Sequence, residues 1–162
     1  MTPGELAAYL RDNIPLTTAL AVEVIDVSDS AVRLRAPLAP NRNHRQTAFG
    51  GSVAALAVLA GWGWLHARLV ARAVPVRLVI QRQELDYLAP IASDFIATCA
   101  APEDAAWNRF ARALDTRGRA RIELAVTVTC GEVLAARFSG AYVALVLDRP
   151  DNGVLELESV GS

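Results

Sequence analysis

The sequence predicts an α+β domain in which a curved antiparallel sheet wraps around one long central helix. Three observations carry that expectation. A run from Val53 to Leu65 is apolar on every side, which suits a helix enclosed all round rather than one resting on a surface. Stretches of two-residue hydrophobic alternation flank it, two before and about four after. No repeat or linker divides the 162 residues, so residues 1–147 read as a single domain long enough to bury a real core.

The elements follow in order. Thr2-Pro3-Gly4-Glu5 has the form of a capping box with proline at the first helical position. That helix should run to about Asp12 and stop before Ile14-Pro15, with Leu6, Tyr9 and Leu10 on one face. Ala19 to Val27 is β-rich, Ser28-Asp29-Ser30 signals a turn, and Ala31 to Leu38 alternates Val32 and Leu34 against Arg33 and Arg35. The two stretches read as a hairpin ended by Pro37 and Pro40. A polar loop then leads through Gly50-Gly51 into the central helix, expected to reach about Ala73 before Pro75. In the next strand Val76, Leu78 and Ile80 share one parity, whereas Leu85 and Tyr87 share the other. A bulge within Gln81 to Glu84 accounts for the change.

Asp94 to Ala101 reads as a further strand. Trp107, Phe110 and Leu114 lie at helical spacing, so Ala105 to Leu114 reads as a short helix or bulged connection. Ile122, Leu124, Val126 and Val128 alternate with Arg121, Glu123, Thr127 and Thr129, the mark of a strand with one buried face. Gly131-Glu132 is the turn into a last strand, Val133 to Leu147. Residues 148–162 carry four acids, one arginine and little pattern, and are expected to be a mobile tail.

Composition narrows the function classes. A net charge of −1 gives no global argument for nucleic acid. All 16 basic residues are arginine, which excludes a lysine Schiff base on this chain and with it covalent pyridoxal phosphate. Cys99 and Cys130 lie in apolar strand-like runs and are expected to be reduced and buried. Two cysteines and two distant histidines make no metal set, so neither a metal nor a cofactor is expected. The N-terminus has no basic region followed by an apolar run, which points to a cytoplasmic location. Ala48 to Leu65 approaches the length of a membrane span. Its glycines and alanines, and the continuation through His66, Arg68 and Arg72, favour a buried core helix.

The chemistry concentrates in Asn43-His44-Arg45-Gln46-Thr47-Ala48-Phe49-Gly50-Gly51-Ser52. A helix start bare of side chains presents free backbone N–H groups and the positive end of the helix dipole, suited to an oxygen that gains negative charge. Asn43 followed six residues later by Phe49-Gly50-Gly51 resembles the Asn…His-Gly-Gly pattern of hotdog acyl-thioesterases of the phenylacetyl-CoA type, with Phe49 in the usual histidine position. Leu85 to Pro90 resembles the Tyr-x-x-Pro strand end of that superfamily. Phe49 to Gly63, and later Phe138 to Ala144, are similar to the thioesterase-like domain at the C-terminus of YiiD.

The resemblance covers roughly residues 15–147 and implies a hotdog fold. It also implies a homodimer or tetramer with sites between protomers, and an acyl thioester of coenzyme A or acyl carrier protein as substrate. Some members of the group decarboxylate malonyl-acyl carrier protein. On this footing Asn43, Gly50 and Gly51 are the expected catalytic residues. Phe49, Ser52, His44, Arg45 and Tyr87 are the expected substrate contacts.

Thioester hydrolysis needs a polarised carbonyl, an activated water and a leaving thiolate. Gly50 and Gly51 serve the first need, unless they merely let the helix approach a strand. Asn43 could orient the carbonyl or a water, or bond its own loop. The second need is harder to meet. Many relatives carry an acid two turns into the helix, where this chain has Leu56-Ala57-Val58-Leu59-Ala60, and no Asp or Glu occurs between Asp29 and Glu84. Glu84, Asp86 and His44 are the remaining candidates for a base, while His66 reads as a partly buried structural histidine. Decarboxylation of a malonyl thioester asks less, because an oxyanion hole stabilises the enolate without a base. A non-catalytic thioester binder is the third reading. The same gap leaves eight arginines, Arg33 through Arg82, without local countercharge in sequence. That suits either an anionic partner or acids folded in from elsewhere.

Overall fold

In the computed structural model, which describes residues 1–147, one antiparallel sheet of six strands curves around one helix. The elements are α1 (Pro3–Asn13), α2 (Leu16–Ala19), β1 (Glu23–Val27), β2 (Ala31–Ala36), α3 (Gly50–Ala71), β3 (Val76–Tyr87), β4 (Phe95–Ala100), α4 (Asp104–Arg117), β5 (Arg119–Cys130) and β6 (Val133–Val146). The strand order is β1-β2-β4-β5-β6-β3. β2, β4, β5, β6 and β3 all touch α3, which explains why its sequence is apolar on every side. α3 is long and apolar enough to cross a membrane, but as the core helix of a hotdog fold 56% of its most apolar window is buried inside the protein. The expected tail, residues 148–162, lies outside the described residues.

The periodicities translate directly into burial. On β5 every second residue from Ala120 to Val128 is 5% exposed or less and faces the core. The parity change in β3 is a bulge between Ile80 and Arg82 in the ladder with β6, inside the expected window. Thr2 and Glu5 form the reciprocal capping box at the start of α1. Two boundaries differ from the sequence reading. The β-rich stretch after Ala19 becomes a strand only at Glu23, because Leu16–Ala19 forms a turn of helix and Ala21 takes a left-handed φ of 52°. The Ala105–Leu114 connection is a 14-residue helix from Asp104, stopped by Gly118 at φ 65°, where glycine adds no strain. Tyr87 keeps the parity of Leu85, opposite Ala136 on β6, and is 58% exposed at the sheet's rim.

Tyr142 on β6 reaches under α3 and donates its hydroxyl to the Val58 carbonyl at 2.9 Å. Gly61 makes this possible, since a methyl there would stand 2.8 Å from the Tyr142 ring carbon Cζ. Burial pushes the pKa of Tyr142 upward, so the hydroxyl stays a donor. Cys99 is a buried free thiol, with burial pushing it up to about 12. Cys130 is also free but only half-buried, contrary to expectation, because it sits at the open end of β5. Its sulfur lies 3.0 Å from Ser93 Oγ.

Acids from distant elements answer much of the arginine excess. Arg35 pairs with Glu23 and Asp94, Arg68 with Asp29 and Arg72 with Asp115, while Arg82 pairs with Glu84 of its own strand. The Leu38 N–H and the Arg35 guanidinium hold Asp94 below its usual carboxylate value.

Candidate active site at the start of the central helix

The approach to α3 is a tight polar loop. Asn43 N–H donates to the Thr47 carbonyl at 2.8 Å, and Gln46 takes a left-handed φ of 64° at the tip. The Asn43 side chain fills this loop. Its Oδ1 accepts from the N–H of Arg45 (2.8 Å) and Thr47 (3.3 Å). Its Nδ2 donates to Thr47 Oγ1 (3.0 Å) and the Ala48 carbonyl (3.3 Å). Those four bonds use the whole amide, so Asn43 fixes the loop rather than presenting a free group to a ligand.

A second asparagine, unnoticed in the sequence, locks the same segment from below. Asn41 is 1% exposed and its Nδ2 donates to the carbonyls of Leu20 (2.9 Å) and Pro37 (2.7 Å). Its own carbonyl accepts the N–H of Phe49 at 2.7 Å, and the N–H of Ala48 goes to the Ile91 carbonyl at 2.8 Å. The backbone entering α3 is thus pinned on both sides. The only signal for Asn41 in the sequence was its place between Pro40 and the polar loop, which does not distinguish a buried amide from a solvated one.

α3 begins without a side-chain cap. Phe49 is the N-cap residue, in extended conformation, and no acid lies in the first turn. The Phe49 carbonyl accepts the N–H of Ser52 and Val53, at 2.9 and 3.1 Å. The N–H groups of Gly50 and Gly51 have no partner among the described residues. Each glycine faces an aromatic ring. A methyl on Gly50 would stand 3.0 Å from the Tyr87 hydroxyl, and one on Gly51 would overlap the ring of Phe49. The glycines therefore leave space beneath two exposed rings, rather than admitting a strand. Tyr87 also ties β3 to the helix start by donating to the Gly50 carbonyl at 2.8 Å.

Two clefts meet at Gly51, and Gly50 lines the first of them. One, of about 460 Å³, lies between Thr47, Ala48 and the Tyr87–Ile91 segment. The other, of about 510 Å³, runs along α3 from Gly51 to Trp62. Gly50, Gly51 and Tyr87 are thus brought together, with Phe49 57% exposed beside them. Ser52 is half-buried and lines neither cleft; His44 and Arg45 are exposed on the loop and line neither. Among the described residues no acid and no histidine lines either cleft. Glu84 and Asp86, the strand acids considered as bases, line a groove on the outer face of the sheet with Thr127, Arg137 and Ser139. The bulge sets Gln83 toward the helix and its neighbours away from it. His66 lies far down α3, its ring 4.4 Å from those of both Tyr9 and Trp62, and burial lowers its pKa.

The family model described as "Putative thioesterase (yiiD_Cterm)" matches residues 4–146. The chain belongs to this YiiD C-terminal family. Solved structures agree with the assignment. A protein of unknown function from Chlorobaculum tepidum is 28% identical, with a TM-score of 0.84 over 90% of this chain and 98% of that one. A structure described as a putative thioesterase from Shewanella oneidensis is 27% identical, with a TM-score of 0.79 over 88% of this chain and 96% of that one. A thioesterase from Haemophilus influenzae, at 14% identity and a TM-score of 0.72 over 92% of this chain and 94% of that one, shares the fold. The hotdog architecture of this YiiD-type domain follows from both its topology and these likenesses.

Proposed function

We propose that this YiiD-type domain hydrolyses acyl thioesters of coenzyme A or acyl carrier protein. The observation that carries the reading is the pair of unpartnered N–H groups at Gly50 and Gly51, on an uncapped helix start where two clefts converge. A thioester carbonyl there gains two donors and the helix dipole as negative charge develops on its oxygen. Phe49 and Tyr87 flank the carbonyl. Asn43 contributes by holding the loop, and Arg45 and His44 stand outside the cleft where carrier phosphates would pass. Water is the nucleophile, and its activation falls to a group outside the two clefts of one protomer. A homodimer that brings a second chain to this site supplies one.

A second reading has its own observation. With no acid or histidine among the described residues of either cleft, the site is suited to malonyl thioester decarboxylation. Loss of carbon dioxide leaves an enolate on the same two donors, and no base begins the reaction.

The test is incubation with malonyl and saturated acyl thioesters on both carriers, following free thiol and product mass. Thiol release supports hydrolysis. Acetyl thioester formed without thiol supports decarboxylation. Tight binding with neither product makes the domain a binder and overturns both enzymatic readings.

A further inference from the structure

We propose that the open edge of β5, in the cleft it forms with α4, is a docking surface for an extended segment in which leucines alternate with acids. Its occupant is this chain's own Leu155-Glu156-Leu157-Glu158.

β4 pairs with β5 only over residues 126–129, whereas β6 pairs with it from Arg119 to Cys130. Residues 119–125 of β5 therefore have a strand on one side only. α4 packs on β5 where the next strand would lie, but among the described residues no backbone hydrogen bond joins the two. A strand edge keeps N–H and C=O groups directed away from its partner, and α4 uses its own within the helix. A cleft of about 420 Å³ lies between α4 and this edge.

The cleft has an apolar floor and a basic rim. Phe110 and Ile122 make the floor, and Ala106 and Ala113 keep the α4 wall low on either side of Phe110. Arg109 and Arg121 stand exposed at the rim. Among the described residues Arg109 has no ion pair, and Arg121 meets Glu123 of its own strand at 2.8 Å. β5 alternates in the same sense, with Ala120 and Ile122 inward and Arg119 and Arg121 outward. A segment added to that edge continues the alternation across it, apolar beside Ile122 and acidic beside Arg121. Leu155-Glu156-Leu157-Glu158 has that pattern and carries two of the four acids beyond Leu147. Main-chain bonds to the edge supply affinity, and the alternating side chains fix the face.

The chain also arrives at the right end. Leu145 lies opposite Arg119, and the Val146 N–H donates to the Gly118 carbonyl at 2.7 Å, so β6 finishes beside the start of β5. Crossing β5 takes two strand spacings, about 10 Å. Residues 148–154 can span up to about 23 Å.

The measurement is amide hydrogen exchange on the full chain. It compares wild type with Leu155→Ser/Leu157→Ser, with Arg109→Glu/Arg121→Glu, and with the latter combined with Glu156→Arg/Glu158→Arg. The amides of residues 119–125 that point away from β6 should exchange at least about tenfold faster in the first two variants than in wild type. The charge-exchanged combination should recover the protection. Residues 126–129, held by β4, should exchange alike in all four proteins. Equal exchange at the edge in wild type and the leucine variant would overturn the assignment. Wild-type protection that fades on dilution would give the cleft to a second copy of the chain and overturn it as well.

Discussion

At the residue scale, two asparagines two positions apart do related work from opposite environments. Asn41 is buried and joins three backbone segments; Asn43 is half-buried and saturates one loop. Asn41→Ala leaves the carbonyls of Leu20 and Pro37 without that donor, and should cost about 1–3 kcal/mol in urea unfolding. Asn43→Ala should cost about 1–2 kcal/mol and lower kcat, because the loop it holds positions Gly50. Wild-type turnover in a loosened Asn43→Ala loop would remove Asn43 from the functional account. The sequence pointed to Asn43 through a motif and passed over Asn41. A motif registers residue type and spacing, whereas the difference between these two amides is one of burial, set by chain segments 21 and 4 residues away.

At the element scale, α1 is joined to α3 through the stack of Tyr9, His66 and Trp62. Burial disfavours the charged imidazole of His66 and depresses its folded pKa below the ordinary 6.5. The unfolded chain therefore binds the proton more readily, and stability should decline as pH falls below 6.5 toward the folded pKa. Glu5 and Asp94, whose folded pKa values are also lowered, begin to contribute only around their ordinary values of 4.5 and 3.8. Unfolding free energy measured between those ranges should slope with pH in wild type and flatten in His66→Phe. An equal slope in both proteins would contradict the assignment. Element boundaries were legible wherever period and punctuation agreed, as on β5 and at the Thr2 cap. They differed at the start of β1, where the β-rich stretch from Ala19 first completes a helical turn and a left-handed Ala21 before the strand begins at Glu23. They were left open at α4, whose alternatives a short amphipathic run cannot separate.

At the scale of the whole molecule, the sheet has two unequal edges. β1 is 5 residues long with an irregularity between Val24 and Asp26, features that discourage pairing. β3 is 12 residues long and borders the helix start through Tyr87. An edge of that length beside the site is where a second copy would join to form the proposed homodimer. Light scattering should give at least twice the 17.3 kDa of one chain, and Gln83→Pro on β3 should return it to the monomer. A monomeric wild type would remove the dimer and its contribution of a water-activating group. The curved wrap was legible because an all-round apolar helix admits few enclosures. The absence of an acid from the clefts was legible only in part. Sequence showed none on the helix, but the face of Glu84 and Asp86 depends on one bulge whose position it located only to within Gln81–Glu84.

The central claim is that a backbone N–H at the start of α3 polarises the substrate carbonyl, and Gly50 permits a direct test. Gly50 is the first helical residue and Phe49 before it has φ −66° and ψ 131°, a conformation that accepts a following proline. Gly50→Pro deletes the N–H while keeping the helix, and Gly50→Ala adds a comparable Cβ beneath Tyr87 while keeping the N–H. With both variants folded, kcat for thiol release should be about 10²–10³ lower in Gly50→Pro than in Gly50→Ala. Equal turnover in the two would contradict the oxyanion role of Gly50.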